Sequence, residues 1–293
     1  MSTRLRAINP SIGIILLLSS ALISTTNAAS FYGDEHWPED ELEQCKQILQ
    51  NNSFLHQDPS LFCTTRLFRL PLPASRLLLT NSKLEILSRN PLMVLYHKFA
   101  SEFELDELLQ EAEPSLEPSQ VQTTDGRGVE LTSHRVANST WMYEQTSVVK
   151  ALTDRVAQFT GFDTENAEEL HVITYKHGGH YVPHLDFLVF PPDSPELNDN
   201  RIATFTIYLR LPEEGGATVF PNLQFSVLPS AGDGLLWFNV HSDEEEHEDS
   251  LHGGCPVIKG SKAIATLWLR ARGQELRVKC PASGFDFDLD SFA

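Results

Sequence analysis

The stretch Leu170-His171-Val172-Ile173-Thr174-Tyr175-Lys176-His177-Gly178-Gly179-His180-Tyr181-Val182-Pro183-His184-Leu185-Asp186 decides how this chain is read. Its first six residues form a β-type run. Gly178-Gly179 interrupts it, and His184 and Asp186 follow two positions apart. On a β segment, residues two apart point to the same side, so this His and this Asp are able to converge on one metal ion. Taken alone the tripeptide is weak evidence, since it arises by chance in many long chains. Its surroundings give it weight.

Downstream, further short β-type runs follow: Ile202–Leu209, Thr218–Phe220, Phe225–Leu228, Leu235–Val240 and Ile264–Arg270. Gly, Pro and Asn punctuate them at roughly even spacing, the signal of an antiparallel sandwich or barrel. Upstream the texture is helical. Ser101 with Glu104 makes a capping-box pattern ahead of Phe103, Leu105, Leu108 and Leu109. Val148, Leu152, Val156 and Phe159 recur at helical spacing before Gly161. A shorter helix is expected from Pro38 to about Leu49, a strand or linker over Leu77–Leu87, and a loop over 114–130. Helices first and strands later predict an α+β domain with helices packed on one sheet.

His252 lies several predicted strands beyond His184. A double-stranded β-roll brings a distant strand beside an early one. His184, Asp186 and His252 then form a facial triad, which leaves positions on Fe(II) open. Neutral imidazoles and one carboxylate hold the ion without filling its coordination sphere, so a 2-oxo acid such as 2-oxoglutarate and O2 have room to bind. No Cys sits in the trio, where a thiolate would be hazardous beside activated oxygen. Lys262, near the start of the last long run, is placed to bind a remote carboxylate as a compact point charge. The same trio also suits a zinc hydrolase.

The 293 residues carry 22 Lys+Arg against 40 Asp+Glu, a net charge of -18. That balance excludes a nonspecific nucleic-acid binder, which needs a basic face. The hydrophobic content of 41% excludes a wholly disordered acidic chain. Residues 1–28 read as a secretory signal: Arg4 and Arg6, an apolar run from Ile12 to Ile23, then Asn27-Ala28-Ala29. The run is shorter than the ~20 residues needed to span a bilayer. No other long apolar run follows, so no membrane segment is expected after cleavage. Four cysteines fit an oxidising compartment and allow three connectivities, of which proximity favours Cys45–Cys63 and Cys255–Cys280. Asn51 and Asn138 head glycosylation sequons that count only in exposed loops. The chain ends Asp290-Ser291-Phe292-Ala293, with no retention tail. Residence in the endoplasmic reticulum lumen then requires a retained partner; secretion is the alternative.

The ordered set Tyr175-Lys-His-Gly-Gly-His-Tyr-Val-Pro-His184-Leu-Asp186-Phe, Asn200-Arg-Ile-Ala-Thr204, Gly215-Gly-Ala-Thr-Val-Phe-Pro221, His252-Gly-Gly-Cys-Pro256, Lys262, Trp268 and Arg272-Gly-Gln-Glu275 resembles the catalytic domain of animal prolyl 4-hydroxylase α subunits. These are Fe(II)- and 2-oxoglutarate-dependent dioxygenases acting on collagen-like proline. The likeness is dense from about Val94 to Cys280 and looser back to Cys45. It implies a double-stranded β-helix (jelly-roll) core with flanking N-terminal helices. It implies His184, Asp186 and His252 as iron ligands and Lys262 as partner of the distal 2-oxoglutarate carboxylate. Tyr175 and Thr218 match positions that help hold the cosubstrate. Tyr181, Arg201 and Trp268 match positions lining the peptide groove. Cys45–Cys63 and Cys255–Cys280 match disulfides of the family. The implied reaction hydroxylates peptidyl proline at C4, with oxidative decarboxylation of 2-oxoglutarate to succinate and CO2, and ascorbate as reductant for uncoupled turnovers. The implied partners are a proline-containing, collagen-like peptide and a protein disulfide isomerase β subunit.

Departures bear on that reading. Family α subunits are nearly twice this length, so the dimerisation region and the separate peptide-binding domain are expected to be missing. That puts a heterotetramer in question. Ala263 stands where the family usually has Trp. The loop Ser242–Ser250 is strongly acidic just before His252, either as a solvated face or as a bias toward basic peptides. The expected partition is a signal (1–28), an N-terminal segment with a disulfide (29–90), the catalytic domain (91–281) and a tail (282–293). The alternatives are a hydroxylase of another secreted substrate, lysine included, and a non-catalytic subunit retaining the fold.

Overall fold

The two predicted helices form where their caps place them. In the computed structural model, helix α1 spans Glu102–Ala112. Its Ser101 N-cap accepts from the Glu104 amide while Glu104 bonds back to the Ser101 amide, a reciprocal capping box. Helix α2 spans Ser147–Thr160; Thr146 caps its start, and Gly161 ends it at φ 82°, a left-handed conformation that Gly adopts at little cost. The structure describes residues 64–67, 81–143, 146–196, 199–227, 229–242 and 244–274. The expected Pro38–Leu49 helix, the signal, Cys45–Cys63, Asn51, Cys280 and the tail lie outside them. Among the described residues, no helix is long and apolar enough to cross a membrane.

Among the described residues, the strands build two main sheets. The larger has nine, in spatial order β1 (Thr64–Leu67), β2 (Asn81–Arg89), β3 (Leu92–Tyr96), β15 (Gly234–Phe238), β11 (Arg201–Arg210), β18 (Lys262–Arg270), β9 (Leu170–Tyr175), β8 (Asn138–Met142) and β4 (Glu117–Pro118). The smaller has five: β14 (Phe225–Val227), β13 (Thr218–Phe220), β16 (His252–Gly254), β10 (His180–His184) and β7 (Arg135–Val136). Two short ribbons pair β5 (Val121–Gln122) with β6 (Val129–Glu130), and β12 (Glu214–Gly215) with β17 (Val257–Lys259). All pairings are antiparallel. This is the mostly antiparallel two-sheet architecture expected of a jelly-roll core with flanking helices.

Two-residue periodicity sorts the larger sheet into a structural face and a functional one. On β18, Ala263, Ala265, Leu267 and Leu269 join the core that also takes Leu105 and Leu108 of α1 and Leu152 and Val156 of α2. The alternate residues Lys262, Ile264, Thr266 and Trp268 line a pocket on the opposite face. On β11, Ala203, Phe205, Ile207 and Leu209 enter the helix-side core, while Thr206 and Tyr208 line the pocket. A second core fills the space between the sheets, with Met93, Leu95, Tyr208, Phe220, Leu235 and Trp237.

Three local readings change. Leu92–Tyr96, with no strand predicted, is a fully buried strand beside β15. Through β3 the same sheet continues to β2 and β1, which precede residue 91 in the chain. Part of the predicted 114–130 loop forms short strands on β8 and in the β5–β6 ribbon. Asn138 is half-buried within β8, paired to both β4 and β9, and not in an exposed loop. Strand pairing over long sequence separation leaves no local signature, which explains β3 and Asn138; the β5–β6 ribbon is a local hairpin too short to show a period.

Candidate active site

The pocket lies between the two sheets, and antiparallel pairing assembles its polar end. His184 at the end of β10 stands opposite His252 at the start of β16. Asp186, two residues past β10, brings its carboxylate to both. Its Oδ1 lies 3.7 Å from His184 Nε2 and its Oδ2 3.6 Å from His252 Nε2. One ligand atom from each of the three falls within 4.8 Å of the others. Gly253 lets the strands approach this closely. A Cβ there would sit 3.1 Å from Pro183 N and Tyr181 O, tighter than most side chains tolerate.

The hydrogen bonds settle which imidazole nitrogen faces the centre. His184 Nδ1 bonds the Val182 carbonyl at 2.8 Å, and His252 Nδ1 bonds the Ser250 carbonyl at 2.9 Å. A carbonyl only accepts, so each Nδ1 carries a proton and each Nε2 is the nitrogen turned to the centre. Such carbonyl bonds commonly orient metal-ligating histidines. Burial, reinforced by the neighbouring His252, pushes His184 down to about 3, so the ring is neutral at neutral pH. Burial would raise the Asp186 carboxyl, but His252, His184, Arg201 and the Thr204 hydroxyl bring it down to about 2. Two imidazoles and one carboxylate fit a divalent ion, and an O/N donor set suits Fe(II).

Aromatic rings wall the imidazoles. Tyr181 stacks on His184 with centroids 3.5 Å apart, and Arg135 lies 4.8 Å over the outer Tyr181 centroid. Trp237 meets His252 edge-on at 4.8 Å. Burial raises the Tyr181 hydroxyl to about 12, so it stays protonated.

Lys262 sits deeper in the pocket, 4% exposed. Its Nζ donates to Thr218 Oγ1 at 3.3 Å and lies 5.6 Å from the Tyr175 ring centroid. Tyr208 Oη donates to the same Thr218 oxygen at 3.1 Å. Burial alone lowers the lysine to about 8, and among the described residues no carboxylate pairs with it. A buried ammonium without a counter-ion is costly. A dicarboxylate bridging from the metal end to Lys262 supplies that counter-ion, so the residues fit 2-oxoglutarate as well as Fe(II).

The remaining expected residues divide. Tyr175, Thr218, Tyr181 and Trp268 line the pocket. Arg201 packs behind: its guanidinium lies 3.9 Å from the Trp268 ring centroid, and two of its nitrogens bond Glu168 at 2.6 Å each. It braces the Trp268 ring, which His171 flanks at 5.4 Å. Buried Ala263 belongs to the helix-side core. Sequence reasoning missed Tyr208, Thr204, Arg135 and Asn239, whose amide donates to the Thr204 hydroxyl at 2.8 Å. The alternation Thr204, Thr206, Tyr208 within an otherwise apolar run was a usable signal for a polar inner face. Nothing local marks Asn239 or Arg135.

A second group, His241, His247 and Glu248 in the acidic loop, also gathers within 4.8 Å. Its imidazoles stack at 3.9 Å with planes only 19° apart. Nitrogen lone pairs lie in the ring plane, so stacked rings do not aim at a shared point. The His184 and His252 planes, at 53°, are free of that conflict.

Comparison with known proteins agrees with this geometry. Residues 170–270 match the 2OG-Fe(II) oxygenase superfamily, and this domain of the chain belongs to it. Within that class, the chain is similar to prolyl 4-hydroxylase subunit alpha-3 of Homo sapiens, 36% identical over 253 residues. That match covers 84% of this chain and 45% of the relative. It is also 36% identical over 202 residues to prolyl 4-hydroxylase subunit alpha-2 of Caenorhabditis elegans, covering 68% of this chain and 38% of the relative. The chain thus spans less than half the length of these curated relatives. Among solved structures, it resembles the viral collagen prolyl hydroxylase of Paramecium bursaria Chlorella virus-1 in its 2OG complex. There the TM-score is 0.51 and the identity 28%, covering 61% of this chain and 96% of that one.

Proposed function

We propose that this protein is a peptidyl-proline 4-hydroxylase that uses Fe(II), 2-oxoglutarate and O2. The observation that carries the reading is the pairing of a two-histidine, one-carboxylate centre with a buried, counter-ion-free Lys262 in the same pocket. Relatives named as prolyl 4-hydroxylase α subunits support the proline assignment.

When bound, iron with O2 and 2-oxoglutarate supplies the oxidising power that exchanges a C–H hydrogen for hydroxyl, as the cosubstrate leaves as succinate and CO2. The chain's own residues place and protect. His184 and His252 present fixed Nε2 lone pairs, and Asp186 contributes the single negative charge. Lys262, with Thr218, anchors a remote carboxylate and so fixes which end of the dicarboxylate meets the centre. Ile173, Ile264 and Trp237 exclude water from the space between. Tyr181 and Trp268 offer aromatic faces on which the apolar CH2 groups of a proline ring pack.

The wider setting belongs to the same proposal. The basic and apolar residues 1–28 support entry to the secretory pathway, with residence in the endoplasmic reticulum lumen. The four cysteines support disulfides there, Cys45–Cys63 and Cys255–Cys280. Asn51 is the sequon left for glycosylation, since Asn138 lies within a sheet. Ascorbate serves as reductant for uncoupled turnovers, a protein disulfide isomerase is the retained partner, and the substrate is collagen-like.

The test is incubation of the purified chain with Fe(II), 2-oxoglutarate and a Pro-Pro-Gly repeat peptide, with a matched lysine peptide beside it. A gain of one oxygen at proline C4, with succinate released, is expected. Oxygen on lysine alone moves the substrate; no oxygen and no succinate with any peptide favours a non-catalytic subunit.

A further inference from the structure

We infer that Thr204 and Asn239 form a one-way hydrogen-bond relay that orients Asp186 for metal binding, with Asn239 acting only through Thr204. The inference rests on the metal-centre reading above. Thr204 Oγ1 donates to Asp186 Oδ2 at 2.7 Å, and Asn239 Nδ2 donates to Thr204 Oγ1 at 2.8 Å. Thr204 and Asn239 are both fully buried and Asp186 nearly so. They come from separate places in the chain. Thr204 is on β11, Asn239 follows β15, and the register Thr204↔Trp237 leaves Asn239 diagonal to Thr204 on the same face.

The direction of the chain is forced. An ionised carboxylate only accepts, so the Thr204 proton goes to Asp186. The Thr204 oxygen then accepts, which fixes the Asn239 amide with its NH2 group toward Thr204. That orientation leaves Asn239 Oδ1 buried with no hydrogen-bond partner among the described residues. Stability alone disfavours such an orphan, and an apolar residue of similar shape avoids it. What the amide provides in return is a donor that commits the hydroxyl lone pair and so keeps the hydroxyl proton on Asp186.

Asp186 needs this help. It lies beyond the end of β10, so no backbone ladder fixes its side chain as strand pairing fixes His184 and His252. Holding Oδ2 sets the plane in which the carboxylate meets the two imidazole nitrogens. Thr204 and Asn239 are positioning residues: neither is among the residues lining the pocket.

The test titrates the full chain with Mn(II) alone, reading bound ion by electron paramagnetic resonance, with circular dichroism confirming that each variant folds. Thr204→Val, which keeps shape and loses the hydroxyl, should weaken Mn(II) binding roughly 10- to 100-fold, the range typical of groups that orient a ligand. Thr204→Ser should restore it. Asn239→Leu should weaken binding less, and should add nothing in the Thr204→Val background, because its effect passes through the hydroxyl. Wild-type affinity in Thr204→Val overturns the relay. Equal losses from Asn239→Leu with and without Thr204 overturn the ordering. Should Thr204→Val not fold, the Asn239→Leu and Thr204→Ser pair decides: unchanged affinity in Asn239→Leu overturns the relay. Wild-type protein that binds no Mn(II) contradicts the metal centre itself, a distinct failure.

Discussion

His184 and His252, far apart in sequence, stand opposite each other on paired antiparallel strands, each with Nδ1 tied to a carbonyl two residues before it. The tautomer that metal binding needs is thus already set by the backbone. Replacing either histidine by Ala removes one of three ligands, and metal affinity should fall by more than about 100-fold, beyond the effect of losing an orienting group. Turnover should become undetectable while the circular dichroism spectrum is retained. Calorimetric titration with Fe(II) under anaerobic conditions checks the first expectation; near-normal affinity in His252→Ala would remove it from the centre.

In the proposed reaction the Lys262 ammonium anchors the far carboxylate. A hydrogen bond to a charged group contributes ~1.5–3 kcal/mol, so Lys262→Ala should raise the 2-oxoglutarate KM roughly 10- to 100-fold. The peptide KM should stay near its original value. Tyr208→Phe deletes a donor to Thr218 and should raise the 2-oxoglutarate KM only a few-fold. Steady-state kinetics over both substrates separates these outcomes; a Lys262→Ala effect confined to the peptide KM would place the lysine elsewhere.

Much of this was legible in the sequence, and the reasons are local. The capping box at Ser101 and Glu104 bounds α1 through contacts three residues apart. His184 and Asp186 share a side because a strand repeats every two residues. Lys262, Ile264, Thr266 and Trp268 line the pocket by that same alternation. What stayed illegible is set by pairing across the sheets. Thr204 and Asn239 meet only because β11 lies beside β15, and Leu92–Tyr96 is a uniformly apolar run whose period carries no information. Glu168, distant in sequence, holds Arg201 against the Trp268 ring, a contact that no local pattern marks.

Acid should loosen the helix layer through Glu104. Its hydrogen bonds from Arg155, against some burial, hold the carboxyl down at about 2 from an ordinary 4.5. A depressed folded-state value means the stabilisation is full above about pH 4.5 and is lost as pH falls toward 2. Discounted for solvent screening, the contribution is on the order of 1–2 kcal/mol. Glu104→Gln should therefore be less stable than wild type at pH 7 and nearly equal to it at pH 2. Urea unfolding at both pH values checks this, and a pH-independent gap would reject the charge-based explanation.

Leu152 is fully buried where α2 meets the larger sheet. Leu152→Ala leaves a cavity there, and a loss of about 2–5 kcal/mol is expected. Because the pocket is on the opposite face of that sheet, Mn(II) affinity of the folded variant should be unchanged. A large drop in affinity would show that the two faces are coupled.

In the proposed enzyme, His184, Asp186 and His252 hold the iron that couples 2-oxoglutarate decarboxylation to proline hydroxylation. The most direct measurement counts succinate and 4-hydroxyproline together, in wild type and in His184→Ala, with a Pro-Pro-Gly peptide, Fe(II) and O2. Wild type should form hydroxyproline with at least one succinate for each, the excess marking uncoupled turnovers, and the variant should form neither product. Hydroxyproline formed at the wild-type rate by His184→Ala, or its absence from wild type loaded with both Fe(II) and 2-oxoglutarate, would contradict it.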